Sequence, residues 1–161
     1  MGWRWILLAP LLLVAATCSD GGDSTPNATD AVITLLRTEC FGSCPAYKVT
    51  ILGDGTVSYE GRRFVAVEGH QTAQIDPEDV RQLVAQFYEI DYFSLQDSYE
   101  CPVTDLPTAV TAISIAGDSK SVSDYGPGYE DASCAAPQAL VELEERIDEV
   151  AGSARWVEGT P

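Results

Sequence analysis

From residue 47 the chain alternates: Tyr47, Val49 and Ile51 fall on one side of an extended backbone, Lys48 and Thr50 on the other. A period of two marks a strand with one buried face. Gly53-Asp54-Gly55 then supplies residues tolerant of positive φ, and Val57 and Tyr59 resume the alternation, which predicts a β-hairpin. Residues 31–36 (AVITLL) are apolar and β-branched and suit a buried first strand. Residues 62–67 (RRFVAV) and 70–75 (HQTAQI) predict two further strands of the meander, with Glu68-Gly69 as their turn.

The period changes at residue 76. Asp76 is an N-cap acid, Pro77 occupies the first helical position, and Glu78 and Asp79 follow in the first turn, the arrangement that favours a helix start. Val80, Leu83, Val84 and Phe87 recur at i, i+3, i+4 and i+7, so a helix is predicted over residues 77–89 with one apolar stripe. Residues 91–108 carry no period and two prolines, and are expected to be irregular, with Tyr92 and Phe93 closing one end of the core. Alternation returns over 109–115 and, after an AGDS turn, over 120–124, predicting a second hairpin. Pro137 opens a final helix striped by Leu140, Leu143, Ile147 and Val150, with Glu142 and Arg146 paired at i, i+4 and Gly152 as C-cap. Trp156 is expected to fold back onto the core. Strands, helix, strands, helix, joined by hairpins, predict an α+β domain: an antiparallel β-meander sheet with two helices packed on one face.

The ends alter this picture. Arg4 precedes an apolar run of eleven, residues 6–16, too short to cross a hydrocarbon core roughly 30 Å thick but of the length of a signal-peptide core. Residues 1–17 are therefore expected to be a signal peptide. Ala15-Ala16-Thr17-Cys18 resembles a bacterial lipobox, making Cys18 the expected lipidation site; the alternative is cleavage after Ala16 and a soluble secreted or periplasmic protein. Lipidation of Cys18 removes one cysteine from an odd total of five and leaves four that can pair. Residues 18–30 then read as lipidated cysteine and flexible tether, residues 31–157 as one domain, and 158–161 as a tail.

Removal of residues 1–17 leaves eight basic side chains against 25 acidic ones, a net charge of −17. Such a surface repels phosphate backbones, which excludes nucleic acid as a partner. It leaves the membrane, through the lipid anchor, and a cationic or protein partner; a monomer is expected.

The segments TECFGSCPAYKVTILGDGTVSYEG (38–61), YFSL (92–95), VTDLPT (103–108) and LEERIDEVAGSARWV (143–157) resemble a bacterial family with a C-F-G-x-C-P-x-Y signature, catalogued as a domain of unknown function and often found in exported or lipid-anchored proteins. The resemblance implies a shared fold and places the signature cysteines at Cys40 and Cys44. It implies no catalytic residue and no cofactor.

Three residues separate Cys40 from Cys44 and no helix start follows, unlike a thioredoxin-type pair. Cys101 and Cys134 stand singly and His70 is the one histidine, which is poor material for a four-ligand zinc site. Oxidised staples are the simpler expectation outside the cytoplasm. Cys40–Cys44 with Cys101–Cys134 is the preferred pairing, and Cys40–Cys101 with Cys44–Cys134 stays open. No G-x-S-x-G elbow is present, and no catalytic residue or metal ligand is assigned. Tyr47, Asp105, Asp124, Tyr125 and Trp156 are candidates for a binding surface, although the tyrosines and the tryptophan also suit packing. The expectation is a non-enzymatic, lipid-anchored envelope protein with a binding or structural role. A thiol-redox or metal-handling protein using Cys40 and Cys44, and a carboxylate hydrolase, are the rivals.

Overall fold

The computed structural model describes Met1 and residues 27–129 and 133–159. Its strands are β1 (Val32–Arg37), β2 (Ala46–Leu52), β3 (Thr56–Arg63), β4 (Gly69–Gln74), β5 (Ser98–Glu100), β6 (Thr108–Ile115) and β7 (Asp118–Tyr125). The helices are α1 (Pro77–Glu89), α2 (Gln138–Ala151) and the single-turn α3 (Ala154–Val157), with 3₁₀ turns at Ala28–Asp30 and Tyr92–Ser94. Among the described residues these strands form one sheet in the order β4-β3-β2-β1-β6-β7-β5.

The fold is α+β, with two corrections to the predicted sheet. It is mixed, because β5 pairs in parallel with β7; residues 98–100 lie in the stretch expected to be irregular. A three-residue edge strand carries too little pattern to be read locally. It is held by Ser123 N–H donating to the Asp97 carbonyl and by Lys120 pairing with Asp97. Nor is the sheet a single meander. β6 pairs with β1 on the side away from β2, so β1 is central, where a near-continuous apolar run is best buried.

A third difference lies at residues 62–67. They form no separate strand: β3 ends at Arg63 and Phe64 turns the chain with φ 55°. The N–H groups of Ala66 and Val67 donate instead to the carbonyls of Val157 and Trp156.

One sheet face builds the core. Ile33, Leu35, Val49, Ile51, Val57 and Tyr59 are fully buried on it, and the opposite face presents Thr34, Thr50, Ser58 and Ser121, none of them buried. Cross-strand register sets those last four in one row with Thr72 and Ala112. α1 covers the apolar face with Val80, Leu83, Val84 and Phe87, its first turn capped by the Asp76 carboxylate accepting from Glu78 N–H at 2.9 Å. α2 adds Leu140, Leu143, Ile147 and Ala151 and ends at Gly152, whose φ of 63° is the left-handed value a C-cap glycine supplies. Arg146 pairs with Glu149 at 2.6 Å rather than with Glu142, which accepts from Gln138.

The cysteines meet as Cys40–Cys44 and Cys101–Cys134, with Cα separations of 5.5 and 5.0 Å. The second joins the segment after β5 to the segment before α2. Chain-entropy arithmetic assigns about 4 kcal/mol to this longer ring and about 2 kcal/mol to the five-residue ring. Replacing Cys101 and Cys134 by alanine is therefore expected to lower the urea midpoint about twice as far as replacing Cys40 and Cys44 by serine. An equal or reversed order would show that the long ring adds no constraint to the unfolded chain.

Candidate functional site

β1 carries its apolar parity one step further than AVITLL: after Ile33 and Leu35, the next inward position is Arg37. Register places it between Tyr47 of β2 and Ala109 of β6, and Ala109 opposite Asp124 of β7. One end of the core face thus carries the row Tyr47, Arg37, Ala109, Asp124, with Thr111 one pair further inward. α2 lies over it and brings Glu144 and Asp148, one helical turn apart, toward the sheet.

Asp148 is the acceptor of this cluster. Its Oδ2 takes a hydrogen bond from Arg37 Nε at 2.8 Å, and its Oδ1 takes bonds from Tyr47 OH at 2.8 Å and Ser153 Oγ at 2.6 Å. Burial pulls the Arg37 guanidinium down, yet Asp148, Tyr47 and Glu144 together hold it above its ordinary value. Burial, then the Asp148 charge, push the Tyr47 phenol up. With three donors on one carboxylate, Asp148 is the structural acceptor that ties β1, β2 and Ser153 to α2.

Deeper in, Glu144 and Asp124 are 0 % and 1 % exposed. Thr111 Oγ1 donates to Glu144 Oε1 at 3.3 Å. Burial, reinforced by the Asp124 charge and opposed by Arg37 and Thr111, pushes the Glu144 carboxyl up to about 8. Burial likewise raises Asp124, against the pull of Arg37. A cleft of about 450 Å³ beside α3, lined by Tyr47, Asp148, Ser153 and Val157 among others, reaches only the Asp148 side. The two unusual acids of the cluster sit behind packed side chains.

The signature loop is the second feature. Thr38 and Thr108 exchange two hydrogen bonds: Thr38 N–H donates to the Thr108 carbonyl at 2.9 Å, and Thr108 N–H to Thr38 Oγ1 at 2.8 Å. Phe41 N–H donates to the Asp105 carbonyl at 3.2 Å, and Arg63 pairs with Glu39 at 2.9 Å. Held this way, the Cys40–Cys44 ring leaves Phe41 88 % exposed. No helix begins beside Cys40, so nothing of the thioredoxin arrangement surrounds it.

Several candidate surface residues are corrected by burial. Tyr47, Asp124 and Trp156 are buried: Tyr47 and Asp124 belong to the ionic row, and Trp156 stacks on Tyr59 with ring centroids 4.8 Å apart. Asp105 is exposed, in a left-handed turn with φ 73°. Tyr125 is half-buried, its hydroxyl accepting from Leu106 N–H at 3.2 Å. These five do not form one surface. Cys18 lies outside the described residues. The pattern reading passed over Arg37, Glu144, Asp148 and Phe41. Arg37 continues the parity of Ile33 and Leu35, and Glu144 and Asp148 lie within the Leu140–Ala151 stripe, so a charge on a predicted apolar face was the available signal.

Residues 31–151 match the model of a family described as Domain of unknown function (DUF6438). No curated protein matches the chain. The two disulfides suit an oxidising, exported environment.

Proposed function

We propose, for a chain that belongs to the DUF6438 family, a role as a non-enzymatic, lipid-anchored bacterial envelope protein that presents a binding surface at the end of the sheet far from its anchor. The observation that carries this reading is Phe41, standing in water on a disulfide-closed loop that three hydrogen bonds and one ion pair tie down. A large apolar ring held rigidly in solvent loses little conformational entropy when a partner covers it, which is how aromatic anchors act at interfaces. The polarity of β1 supports the direction. The chain enters the domain at residues 27–31, and the six-residue strand, roughly 20 Å long, carries it to the opposite end before the Cys40 loop begins. On this reading Cys18 holds the membrane, the tether after it ends where Ala28 packs into the core, and the C-F-G-x-C-P-x-Y signature is the recognition element. The partner is a protein with an apolar pocket and a cationic rim, matching the net charge of −17 left after residue 17.

The test has three parts. Cys18→Ala is expected to move the protein from the membrane fraction to the soluble fraction; retention on the membrane would remove the anchor. Denatured, unreduced mature protein is expected to show no reactive thiol, and two reactive thiols would favour redox or metal chemistry at Cys40 and Cys44. Phe41→Ser should leave the unfolding free energy measured in urea within about 0.5 kcal/mol of the original, as for exposed positions, and abolish co-purification of the partner from solubilised envelopes. Undiminished co-purification would move the binding surface elsewhere.

A further inference from the structure

Asp124 Oδ2 and Glu144 Oε2 are buried and have no hydrogen-bond partner among the described residues. A polar atom left in that state costs about 1–3 kcal/mol, and more when charged. Asp124 sits on β7 and Glu144 on α2, and the Asp124 charge opposes ionisation of Glu144. A single proton between them satisfies both atoms at once. We propose that Asp124 and Glu144 form a one-proton site, with the proton carried on Glu144 Oε2 and donated to Asp124 Oδ2, and that losing this proton releases α2 from the sheet.

The surroundings favour Glu144 as the carrier. Its other oxygen, Oε1, already accepts from Thr111, leaving Oε2 as its free oxygen. Facing the pair are Arg37 from β1, Thr111 from β6, Tyr92 from the turn after α1, and Asp148 on α2 itself; Tyr47 of β2 reaches Asp148 from its far side. Between α1 and α2, the charged Glu89, Glu142 and Arg146 line a separate groove. Arg37 is thus the cation of the set, and Asp148 already engages it. With the proton present, one carboxylate remains beside the Arg37–Asp148 pair. Without it, two buried charges oppose each other, and Arg37 is left as the one cation acting on both.

The pH dependence follows from the sign of the shift. Glu144 sits near 8 in the fold against an ordinary 4.5, so between those values the native state holds a proton that the unfolded chain has lost. The stability conferred is complete below 4.5, falls as pH rises through the window, and is flat above it. The folding constant is expected to drop by up to about tenfold per pH unit.

Infrared spectra of the purified full-length protein test this. At neutral pH a protonated carboxylic acid band is expected, disappearing near the value given above, and amide exchange along α2 should accelerate over the same range. Glu144→Gln donates to Asp124 through its amide without titrating. It should therefore remove the band and make the urea midpoint insensitive to pH in this window. Asp124→Asn should retain the band but lower its midpoint, since the neighbouring charge is gone. Absence of the band in the unaltered protein would overturn the proposal. So would a midpoint unchanged by Asp124→Asn, which would mean burial alone holds the proton, or one moved by calcium or by a chelator, which would mean a metal cation occupies the pair. Neither the anchor nor the Phe41 surface enters this test.

Discussion

Asp148→Ala is expected to destabilise the domain by about 3 kcal/mol, the lower end of the range for breaking a buried ion pair. The substitution strips the acceptor from Arg37 Nε, Tyr47 OH and Ser153 Oγ together. The Arg37 and Asp148 side chains keep 21 % and 18 % of their exposure, so water recovers part of the loss, and the Asp124 carboxylate remains near the guanidinium to recover more. These two effects keep the figure below 5 kcal/mol. Asp148→Asn retains an oxygen for Tyr47 and Ser153 and should cost about half as much. The informative companion is the double variant Arg37→Met/Asp148→Leu, which removes both charges and leaves neither buried unpaired. Its urea midpoint should lie above that of Asp148→Ala, because the damage in the single variant comes from the stranded cation. A loss below about 1 kcal/mol in Asp148→Ala would mean the cluster behaves as an ordinary surface pair.

Trp156→Ala should cost a further large amount, about 3 kcal/mol, although Trp156 lies beyond the family match that ends at residue 151. The ring is 8 % exposed, stacks on the fully buried Tyr59, and lies under the Arg155 guanidinium at 4.7 Å. α3 also satisfies the backbone where β3 gives way to the excursion at residues 64–67, through the Val157 and Trp156 carbonyls. Ending the chain after Ala151 removes these acceptors as well as the ring and should be more damaging than the point substitution. Trp156 is the one tryptophan after residue 17, so its fluorescence follows this packing directly. Unchanged stability in either variant would place the domain boundary at the end of α2 and reduce α3 to decoration.

These expectations differ in how far the chain announces them. The Asp76-Pro77-Glu78-Asp79 start of α1, the Gly53–Gly55 hairpin and the Gly152 cap are legible because each is written in adjacent residues. Trp156 reads both ways along the chain, as a ring that folds back onto the core and as a surface candidate, and packing decides for burial. The ionic cluster is not. Arg37 and Asp148 are separated by 111 positions, and Thr111 and Glu144 by 33. Alternation says that residue 37 faces inward; it does not say what waits there. By pattern Tyr47 and Asp124 suit a surface, and packing instead makes them the two ends of one row on the core face.

What the sequence alone determined is local. It set the periods of two and of 3.6 that divide strands from helices, the residues that start and stop α1 and α2, and the α+β class that follows from their order. The tertiary structure decided which strand is central, that β5 runs parallel to β7, that Phe41 is held in solvent, and that Asp124 and Glu144 are both buried, each with one oxygen unpartnered among the described residues. Backbone preference and side-chain period act over a few residues, and so can be read along the chain. Strand order, register and the electrostatics of a buried pair arise only when distant segments share one desolvated core, and there the energy of each residue depends on neighbours its own segment does not specify.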